Sequence, residues 1–166
     1  TSTASIAYAG AIYGTTVSIT GGTNTFMGNQ ARTQGGAIYT TNDATLIARD
    51  GDMLFSGNLD TTGGAIKANA LHMRNSGNYK SLNLAAREGK SIFFYDHVTS
   101  DSARTNLVID INKTGSDPDN LGHAYTGTVV FDGSRHSNAA DKFSQVYGQT
   151  TVHNGAMRLA GGAVYG

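Results

Sequence analysis

One motif that occurs twice constrains the fold of this chain more than any other feature of its sequence. The first copy reads FMGNQARTQGGAIY at residues 26–39, and the second reads FSGNLDTTGGAIKA at residues 55–68. The copies share Phe-x-Gly-Asn and Gly-Gly-Ala-Ile at spacings of 29 and 28 residues, while most of the residues between these elements differ. A period of this size is typical of stacked structural units. A catalytic loop would not need to occur twice, so the repeat predicts a structural role.

The phenylalanine of this motif recurs further along the chain. The segments TNTFMGN, DMLFSGN, SIFFYDH and TVVFDGS align Phe26, Phe55, Phe94 and Phe131, and the later spacings lengthen to 39 and 37 residues. In a solenoid, loops absorb such changes in length because the stacked strands keep their register. We therefore expect insertions at residues 97–106 and 112–127.

Short apolar stretches predict strands rather than helices. Segments such as TVSIT, SIFF and NLVIDI are bounded by Gly, Asn, Asp or Ser, and no helical periodicity is sustained. The chain of 166 residues has 22 glycines and a single glutamate, which favours many turns over helices. These features predict an all-β fold, a right-handed parallel β-helix with about three short strands per coil. Six or seven coils stacked at ~4.8 Å would form a rod roughly 30 Å long.

A β-sandwich is the alternative fold. It predicts hairpin turns such as Asn-Gly between neighbouring strands, and this dipeptide occurs only at residues 154–155. The sequence therefore favours the solenoid.

Each repeated residue type suits one position in a coil of a β-helix. The phenylalanines fill the interior, Gly-Gly makes the corner because glycine reaches positive φ, and the isoleucine re-enters the core. The two asparagines form a ladder of stacked amides or are ordinary exposed turn residues, and His97 and Ser134 at the aligned positions would end such a ladder. The predicted structural residues of the repeat are Phe26, Asn29, Gly35, Gly36, Ile38, Phe55, Asn58, Gly63, Gly64, Ile66, Phe94 and Phe131.

Composition and motifs argue against several classes of function. The formal net charge is zero, so the chain lacks the basic surplus that nucleic-acid binding requires. The five histidines show no metal-ligand spacing. Residues 110–120 partly match a calcium loop through Asp110 and Asn112, but Leu121 stands where a bidentate glutamate belongs. We therefore predict no cofactor and no metal site.

An enzymatic alternative depends on two aspartates. Some β-helix proteins cleave polysaccharides, and they need clustered carboxylates. Asp96 and Asp132 follow aligned phenylalanines one position apart and would face one groove in this interpretation. In the simpler interpretation both are turn residues, because turns favour Asp. We predict no catalytic residue and expect the protein not to be an enzyme.

The ordered combination of FMGN…GGAI and FSGN…GGAI resembles the repeat of the chlamydial polymorphic membrane proteins and related autotransporter passengers. The second half, with LNLAAREGKSIFFYDHVTSD, TGTVVFDG and TTVHNGAMRLAGGAVYG, is similar to AIDA-type autotransporters, and the whole resemblance covers residues 9–166. It implies that residues 1–166 are a single β-helix fragment from the C-terminal part of a longer passenger. The passenger would be secreted to the bacterial cell surface and anchored in the outer membrane by a C-terminal barrel outside this sequence.

The same resemblance implies a function in adhesion to host surfaces, or in bacterial self-association and biofilm formation. The expected partners are host-cell surface molecules, glycans or a like passenger on another cell. A glycan-active enzyme and a purely structural stalk or autochaperone segment are the alternatives. The loop positions that we expect at the outer surface are Asn42, Asp43, Asp60 and Thr61.

Overall fold

Parallel strands make up most of the regular structure in the computed structural model, which describes residues 8–61, 64–74, 80–101, 107–113, 124–144 and 146–166. Sheet 1 consists of β1 (Ile12–Gly14), β5 (Ile38–Thr40), β10 (Leu71–Met73) and β13 (Val98–Ser100). Sheet 2 consists of β2 (Val17–Gly21), β6 (Ala44–Ala48), β11 (Lys80–Ala86), β14 (Leu107–Ile111) and β17 (Gly148–Val152). Sheet 3 consists of β3 (Asn24–Met27), β7 (Met53–Ser56), β12 (Ser91–Phe94), β15 (Thr128–Asp132) and β18 (Ala156–Ala160).

The chain visits the three sheets in turn, so that each of the first four coils contributes one strand to each sheet, and the fifth contributes strands to sheets 2 and 3. Every pairing within these sheets is parallel and joins one coil to the next, as in the row that pairs Ile12 with Ile38, Ile38 with Leu71, and Leu71 with Val98. The backbone groups of each coil are thereby satisfied by its neighbours. This arrangement confirms the parallel β-helix with three strands per coil.

The described residues build five coils, not the six or seven that we expected from the repeat period. Sheets 2 and 3 each contain five strands, so the first and fifth coils lie about 19 Å apart at the ~4.8 Å strand spacing. Beside sheet 1, β16 (Phe143–Ser144) pairs in parallel with β19 (Val164–Tyr165), which begins a further coil. There are fewer coils than expected because the long connections between strands contain many of the residues.

A ladder of phenylalanine rings runs through the interior. The strand register pairs Phe26 with Phe55, Phe55 with Phe94, and Phe94 with Phe131, as the alignment of the sequence predicts. The ring centroids lie 4.8, 4.9 and 5.3 Å apart, and the planes of the first pair are nearly parallel, at an angle of 5°. Aromatic rings at these distances contribute packing energy beyond the burial of their area. Phe26 is half-buried, while the other three are buried in the core.

The expectation that the second isoleucine, Ile66, re-enters the core as Ile38 does is wrong. The side chain of Ile66 is 70% exposed, and Leu71 takes the place below Ile38. The residues that face each other on neighbouring coils are 29 positions apart in the sequence at Asn29 and Asn58, but 33 positions apart at Ile38 and Leu71. Residues 64–66, the described part of the second Gly-Gly-Ala-Ile, therefore lie in an inserted hairpin rather than at a corner of the coil.

This hairpin joins β8 (Leu59–Asp60) to β9 (Lys67–Ala68), and β8 also pairs in parallel with β4 (Gln30–Ala31). Gly64 is exposed, has a φ of 82°, and has no atom within 4 Å of an added Cβ. Its predicted partner in the motif, Gly63, lies outside the described residues.

The first Gly-Gly pair does form a tight corner. Gly35 has a φ of 70°, which favours glycine. A Cβ on Gly36 would lie 2.3 Å from the carbonyl oxygen of Asn69, so the next coil can approach only because Gly36 has no side chain. The two copies of the motif thus have the same sequence but different structural roles.

Buried polar side chains continue the interior packing at the corner after sheet 3. Asn29 Nδ2 donates to Asn58 Oδ1 at 2.8 Å, so the asparagines form a ladder rather than two free turns. The ladder does not end at the next coil, because Asp96 occupies the following place instead of His97. The Asp96 carboxylate accepts from the backbone N–H of Asn58 at 2.8 Å and of Gly57 at 2.9 Å. A one-residue shift after Phe94 hid this step from the sequence alignment.

Candidate functional site

A groove lined by both polar and apolar residues lies against the outer face of sheet 1. Its volume is about 520 Å³. The inserted hairpin forms one wall, the segment that follows β15 forms the other, and the outward side chains of β10 and β13 form the floor. A solenoid has few concave surfaces of its own, so the two insertions create this one.

The wall after β15 is fastened to earlier coils. It contains two 3-10 turns, Gly133–Arg135 and Ala139–Lys142. The guanidinium carbon of Arg135 lies 3.7 Å from the centroid of the Tyr95 ring, and Arg135 Nη1 donates to Ser56 Oγ at 2.6 Å. His136 Nε2 donates to the backbone carbonyl of Tyr95 at 2.7 Å. These contacts hold the segment against the second and third coils and give the groove a fixed wall.

The two walls also contact each other. The backbone N–H of Ala68 in the hairpin donates to Asp141 Oδ1 at 3.4 Å. This hydrogen bond joins the hairpin to the 3-10 turn through a carboxylate that also lines the groove.

The floor of the groove continues an outward row of aromatic rings. The register of sheet 1 places Tyr13, Tyr39, His72 and Thr99 above one another on the outside of the coils. The Tyr13 and Tyr39 rings stack at 5.5 Å, and His72 stacks on Tyr39 at the same distance. Burial raises the pKa of the Tyr39 phenol, so this ring stays neutral at physiological pH.

A network of hydrogen bonds runs across the floor of the groove. Asn69 Nδ2 donates to Thr99 Oγ1 at 2.9 Å, and Thr99 Oγ1 lies 2.9 Å from His72 Nδ1. His72 Nε2 lies 3.1 Å from Asp101 Oδ1. With Asn69 donating to Thr99, the hydroxyl proton is free to point at His72 Nδ1, and His72 then donates to Asp101. The chain fixes the orientation of every side chain along it.

His97 lies at the base of the groove and is 8% exposed. Burial lowers its pKa, although hydrogen bonding to the backbone of Asp141 and the nearby charge of that residue act in the opposite direction. The ring is therefore neutral at physiological pH. Its Nε2 is buried without a hydrogen-bond partner in the part of the chain that the structure describes.

The two aspartates of the enzymatic alternative do not form a catalytic pair. The side chain of Asp96 is fully buried and receives the N–H groups of Gly57 and Asn58, while Asp132 Oδ1 accepts from the N–H of Ser134 and caps a 3-10 turn. The space between them measures only about 10 Å³. Both are turn residues with structural partners, as in the simpler interpretation.

The described residues of the partial calcium loop make hydrogen bonds to other protein groups. Asp110 accepts from His153 Nε2 at 2.6 Å and from Lys113 Nζ at 3.1 Å. Asn112, at a φ of 52°, accepts from the N–H of Ala86 and donates to backbone carbonyls of two other segments. Residues 114–123 of the loop lie outside the described residues. Across the described part of the chain, no group of three or more His, Asp or Glu is placed to hold a metal ion.

The loop positions expected at the outer surface bond to neighbouring coils. Asn42 Oδ1 accepts from Lys80 Nζ, and Asp43 Oδ1 accepts from the N–H of Ser81 at 2.8 Å. Thr61 Oγ1 donates to the carbonyl of Arg32 at 2.9 Å. Asp60 is buried, which contradicts the expectation, and it lines the groove.

Sequence reasoning missed most of the groove. Asn69, Asp101 and Asp141 belong to no motif, His72 was considered only as a metal ligand, and His97 only as a metal ligand or as the end of the asparagine ladder. These residues come from three separate coils or insertions, and only the stacking register brings them together. The absence of helical or hairpin signals near residues 133–142 left no indication that this segment forms a wall.

Comparison with known proteins supports the resemblance seen in the sequence. Residues 25–41 match the Chlamydia polymorphic membrane protein repeat. The chain is 33% identical over 93% of its length to the probable outer membrane protein pmp13 of Chlamydia pneumoniae, of which it covers 16%. It is 35% identical over 83% of its length to pmp8 of the same organism, covering 15% of that protein. It is 28% identical over 90% of its length to PmpB of Chlamydia trachomatis serovar D, covering 11%.

These relatives bear on location and on the size of the whole protein. They are named as outer membrane proteins, which confirms the predicted location at the outer membrane and cell surface. The chain spans 16% or less of the length of the three relatives described. No helix in the described residues is long and apolar enough to span a membrane. No solved structure gives a significant match.

Proposed function

The chain carries the repeat of the chlamydial polymorphic membrane proteins and is related to these autotransporter-type outer membrane proteins, and from this premise we propose that it is a binding segment of a cell-surface passenger. It attaches the bacterium to host-cell surface molecules, or to a like passenger on another bacterium, as in biofilm formation. It forms one part of a longer passenger, in which the β-helix continues beyond these residues.

One observation carries this proposal, namely the groove on the side of the rod. A stalk needs only the stacked core and the hydrogen bonds between coils. This chain also builds two insertions, ties them together through Ala68 and Asp141, and fixes a row of polar side chains between them. Concave sites with a few oriented polar groups are the usual form of a binding site.

The enzymatic alternative receives no support from the same geometry. The buried Asp96 carboxylate is occupied by backbone N–H groups, and Asp132 caps a 3-10 turn, so the two aspartates of this alternative have structural partners. The relatives are named as outer membrane proteins, with no activity in their names. We propose a protein without enzymatic activity.

Adhesion of coated beads tests the proposal. Microspheres that carry residues 1–166 are added to cultured epithelial cells, and cell-bound beads and bead–bead aggregates are counted. Two matched variants differ by one position in the same 3-10 turn: Ala140→Trp fills the groove, whereas Ala139→Trp places the same ring on an exposed residue outside it. We expect Ala140→Trp to lose attachment and Ala139→Trp to keep it.

Two results would contradict the proposal. Beads with the native chain that neither attach to cells nor aggregate more than uncoated beads would indicate a stalk. Attachment that survives Ala140→Trp would place binding elsewhere on the rod.

A further inference from the structure

Two buried side chains in the groove have polar atoms with no partner. Asn69 is 4% exposed, and its Oδ1 has no hydrogen-bond partner among the described residues, although its Nδ2 is bonded to Thr99. His97 Nε2 is in the same condition at the base of the groove. Buried polar atoms are nearly always hydrogen-bonded, so unpaired ones that line a cavity indicate a missing partner.

The unpaired atom of Asn69 is a hydrogen-bond acceptor, because an amide oxygen can only accept. The missing partner of this oxygen is a donor. His97 Nε2 accepts or donates according to the tautomer of the neutral ring, so it can pair with either kind of group.

The charges around the groove have the same preference. Three carboxylates line it, those of Asp60, Asp101 and Asp141, against the single ammonium of Lys67. Carboxylates accept hydrogen bonds and attract cations, and they repel anionic ligands such as sialylated or sulfated glycans.

Donor groups line the groove as well. The side-chain amides of Gln34 and Asn138 and the ammonium of Lys67 are among its lining residues, and Ser100 Oγ accepts from the N–H of Tyr147 at 3.0 Å. The carboxylates outnumber the ammonium among the lining residues, so the charge of the groove favours a cationic ligand with several N–H groups.

We propose that the groove binds the guanidinium group of an arginine side chain on a protein partner. Guanidinium is planar, always charged, and carries five donors without an acceptor. Asn69 Oδ1 accepts from its N–H groups at the base, and the carboxylates of the two walls balance its charge. The exposed Ile66 on the hairpin offers apolar surface to the methylene stem. This inference rests on the proposed function, since it names the chemistry of the partner at the same groove.

Nuclear magnetic resonance titration of the ¹⁵N-labelled chain tests the inference without cells. The probes are Nα-acetyl-arginine amide and its neutral isostere, Nα-acetyl-citrulline amide. We expect saturable shift changes at the amides of Ala68, Asn69 and Asp141 with the arginine probe, and binding at least about tenfold weaker with citrulline. Raising the ionic strength weakens binding of the arginine probe, because the attraction is electrostatic.

Charge variants sharpen the result. Asp141→Asn keeps an oxygen for the N–H of Ala68 but removes a charge, and we expect it to weaken binding of the arginine probe by at least about threefold. Lys67→Gln removes the competing cation and should tighten binding. Asp50→Asn serves as the matched control, because Asp50 is an exposed carboxylate that does not line the groove.

Each other outcome has a defined meaning. Equal binding of the two probes, or no saturable response to either, overturns the inference. A response to methyl β-galactoside but not to arginine amide overturns it in favour of a neutral glycan and leaves the proposed function standing. A response to lysine amide that equals the response to arginine amide reduces the claim to any cation and overturns the guanidinium assignment. If the native chain binds the arginine probe but beads with Ala140→Trp attach as well as native beads, the proposed function is contradicted and the ligand assignment stands.

Discussion

Asp96 accepts two hydrogen bonds from Asn58, one from the backbone N–H and one from Nδ2, both at 2.8 Å. The second oxygen of the carboxylate accepts from the N–H of Gly57 at 2.9 Å. Asn58 also donates to the carbonyl of Phe26, so three successive coils are joined at this corner. The charge of Asp96 is compatible with full burial because donors surround it.

We expect Asp96→Asn to destabilise the protein. The new amide group turns one acceptor into a donor that faces backbone N–H groups, and the loss of charge-assisted bonds at a buried site costs about 2–3 kcal/mol in the free energy of unfolding. Urea unfolding followed by circular dichroism measures the change. Asp50→Asn, at a carboxylate whose side chain is 48% exposed, should change the free energy by less than about 0.5 kcal/mol. Equal effects of the two substitutions would contradict the structural role of Asp96.

The interior phenylalanines should differ in their contribution according to depth. Phe55 is fully buried between the rings of Phe26 and Phe94, so Phe55→Ala should cost about 3–5 kcal/mol. Phe55→Asp should prevent folding, because the charge would lie unpaired between coils. Phe26→Ala should cost clearly less, since that ring is only half-buried. Thermal and urea unfolding of the three variants give the order, and a loss at Phe26 as large as at Phe55 would be inconsistent with this core.

The two isoleucines of the repeated motif give a direct contrast. Ile38 is fully buried, and Ile38→Ala should cost about 2–5 kcal/mol. Ile66 has the same local sequence, but it is on the exposed hairpin, so Ile66→Ala should change the free energy of unfolding by less than about 0.5 kcal/mol. A large loss of stability for Ile66→Ala would restore the register in which both isoleucines lie in the core.

The stability of the β-helix should fall in acid because of Asp110. Burial alone would raise the pKa of this carboxyl, but hydrogen bonds from His153 and Lys113 outweigh it and hold the pKa below its ordinary value. A lowered pKa in the folded state stabilises the protein above the unfolded value of about 3.9, and this contribution is lost as the pH falls through the folded value.

The Asp110 contribution is measured by urea unfolding at pH 7, 5 and 3, with Asp110→Asn as the comparison. We expect the native chain to lose more stability between pH 5 and pH 3 than the variant loses. Parallel pH dependence of the two proteins would show that Asp110 is not responsible.

The strand rows and the phenylalanine ladder could be predicted from the sequence because each is a local pattern that repeats. Phe26, Phe55, Phe94 and Phe131 share a strand pattern and a following turn, and the register of the sheet follows the same alignment. The second Gly-Gly-Ala-Ile misled the prediction because the same four letters suit both a corner and a hairpin. Gly36 is required by the close approach of Asn69, whereas Gly64 is in open space, and only contacts distinguish them.

The groove could not be predicted for a different reason. Asn69, His97 and Asp141 are separated by tens of residues in the sequence, and they meet because an inserted hairpin and a 3-10 turn fold back onto the same face. No spacing rule links such residues. The ladder step from Asn58 to Asp96 was missed because the turn after Phe94 is one residue shorter than the turn after Phe55.

Disulfide trapping at sheet 1 tests the central claim, that the second motif is an insertion and that Tyr39 stacks on His72. The chain has no cysteine, so pairs can be introduced without background. The structure pairs Tyr39 directly with His72 across neighbouring strands, a separation that suits a disulfide, whereas a repeat of 28 residues would pair Tyr39 with Lys67. We expect Tyr39→Cys with His72→Cys to cross-link under mild oxidation in the folded protein, and Tyr39→Cys with Lys67→Cys to remain reduced. Cross-linking of the second pair and not the first would contradict the register on which both the fold and the groove depend.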